Sequence, residues 1–259
     1  MPENNLKDRV AIVTGSGRGI GRAICLELAQ KGCRVVAADI LEKNAHRVAE
    51  EIIAGGGEAM ATGTNVSLNE QVQKMVNKAV ARFGKLDILV NNAGITRDAL
   101  LEKMTEEEWD TVINVNLKGA FLCIQAAATE MRRNRYGRII NFSSKGGAAG
   151  NVGQINYCAS KTGIIGLTRA VAKEFGRYAA KEGADMTCNA ILPGFIDTPM
   201  SEKIPEEIKK AFLNEIPLKR SGAPREIAKV VSFLASPGAG YLTGTTIGVD
   251  GGFFMGVGC

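Results

Sequence analysis

The chain has 259 residues, 45% of them hydrophobic and 23% charged, with a formal net charge of +5. That balance is ordinary for globular proteins; it excludes disordered and collagen-like classes, and the length suits a single domain with one large core. No basic tract makes nucleic acid the default partner, no run of about 18 apolar residues suggests a membrane span, and Met1 to Arg9 lacks the apolar stretch of a signal peptide, so the expectation is a cytoplasmic protein with no membrane partner.

Apolar runs and helix-period segments alternate along the whole chain. Arg9 to Thr14 reads as a buried strand, Ile20 to Lys31 as a helix, Arg34 to Asp39 as a second strand and Leu41 to Ala54 as a second helix. Glu58 to Asn65 is strand-like. Ser67-Leu68-Asn69-Glu70 then has the form of a capping box opening a helix to Phe83, and Ile88 to Asn91 is a short strand. Thr105 to Glu108 has the same form and opens a long helix ending near Arg135. Strands follow at Arg138 to Phe142, Met186 to Ile191 and Thr246 to Val249, with helices at Asn156 to about Lys181, Pro205 to Asn214 and Pro224 to Ala235. Such alternation predicts an α/β fold: one doubly wound parallel sheet of about seven strands, Rossmann-type, with helices on both faces and ligands at the carboxyl ends of the strands. No linker divides the chain. A dinucleotide-binding half over about 9–95 and a catalytic half over about 96–259, with a lid over about 198–217, are expected.

Thr14-Gly15-Ser16-Gly17-Arg18-Gly19-Ile20-Gly21 lies between the first strand and the first helix. Glycines there permit a tight turn, and the open N–H groups of a helix start favour a pyrophosphate; a plain strand-to-helix turn is the alternative. Asp39 ends the second strand, eighteen residues beyond Gly21, where a carboxylate accepts from adenosine ribose hydroxyls and repels a 2′-phosphate. Arg18 pulls the other way, since a guanidinium pairs with a phosphate. The carboxylate outweighs the exposed arginine, so NAD is expected over NADP. Asn91-Asn92-Ala93-Gly94 closes the fourth strand with small residues and amides that suit a close cofactor or an ordinary turn.

Six scattered cysteines with no C-x-x-C pair argue against a disulfide framework and a zinc site. His46 is the only histidine, and its polar helical setting reads as surface; no metal is expected. Tyr157 and Lys161 stand at i and i+4 on a helix, where an ammonium beside the phenol favours the phenolate and makes an acid/base usable near neutral pH. That pair arises easily by chance. It is joined, however, by Ser144, thirteen residues before Tyr157, and by Asn116, a poor helix former inside the long helix.

Taken in order, these motifs resemble the short-chain dehydrogenases/reductases over almost the whole chain, from Val10 to Gly252. The resemblance implies that Tyr157 is the general acid/base, that Lys161 lowers its pKa and holds the nicotinamide ribose, that Ser144 polarises the substrate oxygen and that Asn116 holds a relay water. It further implies that Gly15, Ser16, Gly17, Arg18, Gly19, Ile20 and Gly21, with Asp39, Asn65, Val66, Asn92, Ala93, Gly94, Pro193, Gly194, Ile196 and Thr198, line the dinucleotide. Asn65 replaces the commoner Asp at the adenine contact, where its amide oxygen is expected to accept from the base. The chain is several residues longer than usual between Tyr178 and Asp185.

Asn91 to Trp109, Asn116 to Gly119 and Pro193 to Met200 look most like 3-oxoacyl thioester reductases and their NAD-linked 3-hydroxyacyl relatives. Asp39 sits awkwardly there, because such reductases usually draw on NADPH. An NAD-dependent dehydrogenase of another secondary alcohol, such as a cyclic alcohol, sugar or steroid, is the alternative; a non-catalytic dinucleotide sensor is more remote. The lid should carry Met200, Ile204, Ile208 and Phe212 on one side. Arg132, Arg133, Arg135 and Arg138 form either a solvated helix end or a dock for an acidic acyl carrier protein. Apolar and small residues around Asn116 and Tyr157, with the tail from Tyr241 to Cys259, suggest a homotetramer, with a dimer as the alternative.

Overall fold

The computed structural model describes residues 6–144, 147, 149–199, 201 and 205–253. Strands β1 (Val10–Thr14), β2 (Arg34–Asp39), β3 (Ala59–Gly63), β4 (Ile88–Asn91), β5 (Tyr136–Phe142), β6 (Asp185–Pro193) and β7 (Thr246–Val249) form one sheet in the order β3-β2-β1-β4-β5-β6-β7. Every pairing is parallel. The order reverses between β1 and β4, which opens a crevice at their carboxyl ends.

The helices are α1 (Gly19–Gln30), α2 (Glu42–Ala54), α3 (Asn69–Phe83), α4 (Glu106–Ile113), α5 (Gly119–Arg133), α6 (Ile155–Glu182), α7 (Glu206–Glu215) and α8 (Pro224–Ala235). Alternation along the strands loads both faces. Ala11 and Val13 of β1 join Ile24, Leu28, Ile227 and Leu234 from α1 and α8. Val10 and Ile12 join Met75, Leu122 and Phe175 from α3, α5 and α6. Continuous apolar strands are what a sheet covered on both sides requires.

Several expectations are corrected. Ser67 does not cap α3: Leu68 occupies the N-cap, and the Ser67 hydroxyl instead donates to Asn65 Oδ1 at 2.8 Å. At Thr105 the box forms both ways, Glu108 N–H donating to Thr105 Oγ1 at 3.2 Å and Thr105 N–H to Glu108 Oε2 at 3.0 Å. The long helix continues from α4 into α5 through one π-helical turn, Asn114–Lys118, and stops at Arg133. By length and composition alone the Glu106–Arg133 helix could cross a membrane, but half of its apolar window is buried within the fold.

The four arginines do not form one patch. Arg138 is fully buried on β5, paired with Asp185 at 2.7 Å, while Arg132 pairs with Glu182 and Arg133 with Glu130. The longer stretch beyond Tyr178 lengthens α6 to Glu182, where Gly183 ends it in the left-handed conformation. In the stretch expected to form a lid, Phe212 of α7 stacks on Phe195 at 5.6 Å and meets Phe253 edge-on, whereas Ile208 is exposed. Met200, Ile204 and the tail beyond Phe253 lie outside the described residues.

Candidate active site

The glycine loop is shaped by close approach. Gly15 and Gly19 have φ of +62° and +56°, and a Cβ on Gly15 would lie 2.8 Å from the Ala93 Cα. A Cβ on Gly21 would lie 2.2 Å from the Gly15 carbonyl oxygen, so α1 can begin tight against the loop only with glycine there. The α1 N-cap, Arg18, is extended and makes no side-chain cap, which leaves the first N–H groups of the helix facing outward for an anion. Ile20 lies partly buried in the first turn.

Asn92 spends both amide hydrogens on this loop, donating to the carbonyls of Thr14 and Gly15 at 2.9 Å each. Thr14 Oγ1 answers by accepting from the Asn92 and Ala93 N–H groups. Ser16 turns inward, its N–H and its hydroxyl both donating to the Ala38 carbonyl at 3.1 Å, so it pins the loop to β2. Thr198 closes the far side, its Cγ2 lying 3.6 Å from where a Gly19 Cβ would stand.

Asp39 is held in place rather than merely solvated. One carboxylate oxygen accepts from Gly17 N–H at 2.9 Å and the other from Leu41 N–H at 3.0 Å. Arg47 approaches the same turn, donating to the Gly17 carbonyl at 3.3 Å, and the next residue, Arg18, is exposed. Beyond β3, Asn65 Oδ1 accepts from both Ser67 N–H and Ser67 Oγ. The oxygen expected to accept from a base is thus engaged within the chain. Val66 is buried against Gly119, where a Cβ would meet its Cγ2 at 2.8 Å.

Across the crevice, β5 ends in Phe142, followed by Ser143 and Ser144, and α6 brings Tyr157 and Lys161 alongside. The Ser144 side chain lies beside the Tyr157 phenol and favours its ionised form. Lys161 Nζ donates to the Phe142 carbonyl at 2.8 Å and stands 5.7 Å from the Tyr157 ring centroid. Ser143 Oγ donates to the Lys161 carbonyl at 2.8 Å, fixing the helix turn that carries the lysine. A Cβ on Gly94 would stand 3.4 Å from both Lys161 Nζ and Asn116 Oδ1, so glycine keeps this corner open.

Burial sets the proton affinities. It lowers the Lys161 ammonium from 10.5 to about 8. It also pushes the Tyr157 phenol above its ordinary value, with the Ser144 hydroxyl pulling the other way. The expected depressed tyrosine is thus corrected: desolvation of the phenolate outweighs the Ser144 hydroxyl beside it.

Asn116 sits in the π-helical turn. Its amide clasps Ile95 from both sides, accepting from the N–H at 2.9 Å and donating to the carbonyl at 3.0 Å. Its Nδ2 also donates to Ser160 Oγ at 3.1 Å, and Ser160 donates in turn to the Tyr157 carbonyl at 2.8 Å. The widened turn is what swings an interior asparagine into the site, a use typical of π-bulges. Sequence reasoning missed Ser160 and Thr14 as supports, although both stand inside the quoted motifs. On the remaining wall, Pro193 ends β6, a Cβ on Gly194 would lie 2.6 Å from the Asp250 Cα, and Ile196 is buried and bridged to Gly222.

A glycine cradle at a helix start, an acidic end to β2, and Ser144, Tyr157 and Lys161 around one opening define a nicotinamide-dependent oxidoreductase of the short-chain type. The family model described as "Enoyl-(Acyl carrier protein) reductase" matches residues 15–254. Among curated proteins, a 3-oxoacyl-[acyl-carrier-protein] reductase FabG of Staphylococcus aureus is 50% identical over 247 residues, 95% of this chain and 98% of its own length. Proteins of the same name from Thermotoga maritima and Pseudomonas aeruginosa are 47% and 45% identical over 250 and 251 residues, 96% and 97% of this chain and 99% of each relative. The chain belongs to the short-chain dehydrogenase/reductase family.

Proposed function

We propose that the chain reduces the ketone of a 3-oxoacyl thioester to a 3-hydroxyl, with NADH preferred to NADPH. The observation that carries this reading is the pair of hydroxyls, Ser144 and Tyr157, close enough to interact beside the buried Lys161. A carbonyl oxygen inserted between them accepts from Ser144 and takes its proton from Tyr157. The dinucleotide supplies the hydride when bound, and the loop from Gly15 to Gly21, Asp39, Asn65, Gly94 and Lys161 are the residues that would hold it.

Lys161 keeps a positive charge near the phenol, which favours the phenolate left by proton transfer. Its pKa of about 8 means that this help is present at neutral pH and fades above pH 8. Two hydroxyls converging on one oxygen suit a carbonyl better than a carbon–carbon double bond, where the proton must reach carbon. The thioester itself is suggested by the names of the relatives, which act on 3-oxoacyl groups held by an acyl carrier protein. Carrier-bound substrate and a dock at Arg135 belong to this proposal, as do a cytoplasmic location and a homotetramer. Exposed Trp109 and Phe121 on the Glu106–Arg133 helix support the tetramer.

The preference for NADH rests on Asp39. Anchored by two backbone N–H groups, its carboxylate cannot swing away from a 2′-phosphate without losing both bonds. The test is the initial rate of acetoacetyl thioester reduction with NADH and NADPH in parallel. Faster turnover with NADH is expected. Absence of turnover, with NADH binding still visible by fluorescence, would move the substrate to another secondary alcohol.

A further inference from the structure

Residues 94–99 leave β4 as an extended strap with no helix or strand of their own, yet the strap is fastened along its length. Asn116 clasps Ile95, Asn156 Nδ2 donates to the Arg97 carbonyl at 2.9 Å, and Ala99 N–H donates to the Gly153 carbonyl at 2.9 Å. All of these use the strap's backbone. One further bond joins side chain to side chain: Gln154 Nε2 donates to Asp98 Oδ2 at 2.9 Å. Gln154 is the N-cap of α6, and Tyr157 lies in the first turn of that helix.

The backbone bonds already fix the strap, so the charge on Asp98 is not needed for its shape. An asparagine at this position could accept the same bond from Gln154. Yet Asp98 is exposed and held by Gln154 three residues before Tyr157, and its charge adds to burial and Cys158 in raising the phenol. Among the described residues, the other groups facing that phenol are Lys161 and Cys158 of α6 and the Ser144 hydroxyl. Arg97, next to Asp98, turns its guanidinium back onto the Thr96 carbonyl at 2.9 Å.

We propose that Asp98, clamped by Gln154 at the start of α6, is a specificity-determining residue that rejects substrates carrying a carboxylate beside the reacting ketone. The inference rests on the ketone-reductase reading above and sharpens it. A 3-oxoacyl thioester and the free 3-oxo acid left by its hydrolysis present the same ketone, two carbons from either a neutral thioester carbonyl or an anionic carboxylate. A fixed negative charge near Tyr157 separates the two, where shape alone cannot.

The experiment compares kcat/KM for acetoacetate and for the neutral N-acetylcysteamine thioester of acetoacetate in Asp98→Asn, Asp98→Ala and the unaltered chain. Asp98→Asn keeps the acceptor and drops the charge, and the acid-to-thioester ratio is expected to rise about tenfold, less at high salt. Asp98→Ala is expected to raise the ratio similarly while also lowering kcat, because the clamp is lost. A second readout needs no substrate: the phenolate absorbance titration of each protein minus that of its Tyr157→Phe partner. The Tyr157 midpoint is expected to fall in Asp98→Asn. An unchanged ratio in Asp98→Asn overturns the proposal, whatever the midpoint does. If the unaltered chain reduces neither compound, the ketone-reductase reading and the exclusion built on it fall together; the titration still shows whether the charge reaches the phenol.

Discussion

Replacing Lys161 by methionine should abolish reduction yet stabilise the fold at neutral pH. The side chain is 5% exposed, and burial lowers its pKa from 10.5 to about 8. Each tenfold loss of proton affinity is worth about 1.4 kcal/mol, so holding the charged form in the folded state costs about 3 kcal/mol at pH 7. Methionine has similar length and no charge to desolvate, but it leaves the Phe142 carbonyl without the Lys161 donor, a loss of about 1–3 kcal/mol. The net gain at pH 7 is therefore about 1 kcal/mol. The pH dependence is the sharper signature. Between pH 8 and 10.5 the folded lysine has lost its proton while the unfolded one retains it, so the unfolded state binds more protons and the parent chain gains stability as pH rises. The advantage of Lys161→Met should accordingly shrink by about 2.5 kcal/mol between pH 7 and pH 10, reversing sign along the way. Urea unfolding of both proteins at equal concentration and each pH reads this directly, provided the slopes agree. A stability difference that does not change between the two pH values would refute the assignment of a desolvated ammonium at this position.

Asp39→Ala should raise the ratio of NADPH to NADH efficiency at least tenfold, since Arg18 and Arg47 then meet a 2′-phosphate unopposed; paired initial rates with the two coenzymes check this. Ser160→Ala removes the hydroxyl that joins Asn116 to the turn carrying Tyr157, so kcat should fall several-fold with KM little changed, and Ser160→Thr should recover part of the loss. Asp185→Ala leaves the buried Arg138 guanidinium without its carboxylate. The cost should be about 2 kcal/mol rather than the full penalty of a buried pair, because Asp185 is itself 51% exposed; thermal or urea unfolding gives the value. Reduction by the unaltered chain should decline above pH 8 as Lys161 loses its proton, measured as kcat at saturating coenzyme.

The fold was legible because its signals are local and repeated: β2, β4, β7 and α8 run between the residues that alternation and Pro224 pointed to. Caps were legible only where the local chain had no competitor. Thr105 and Glu108 bond each other, but Ser67 found a nearer acceptor in Asn65, a contest between two short side chains that spacing alone does not decide. Arg138 misled for a related reason. Arginine in a basic run reads as solvent-facing, and its burial depends on Asp185, which lies 47 residues away and becomes its neighbour only when β5 and β6 pair.

The same distinction runs through the site. Tyr157, Lys161, Ser144 and Asn116 could be named because their types and spacings carry the chemistry. Their supports could not, because each is a bond between distant segments: Thr14 to the Asn92 and Ala93 amides, Asn92 to the Gly15 carbonyl, Lys161 to the Phe142 carbonyl, Ser160 to Asn116. Those bonds also decide the electrostatics. Sequence spacing places an ammonium near a phenol and suggests a lowered tyrosine, but only burial reveals that both groups resist their charged forms. A site that holds Lys161 near 8 and Tyr157 protonated is set to donate a proton at neutral pH. A protonated phenol beside a lysine of that affinity is able to hand its proton to a ketone oxygen.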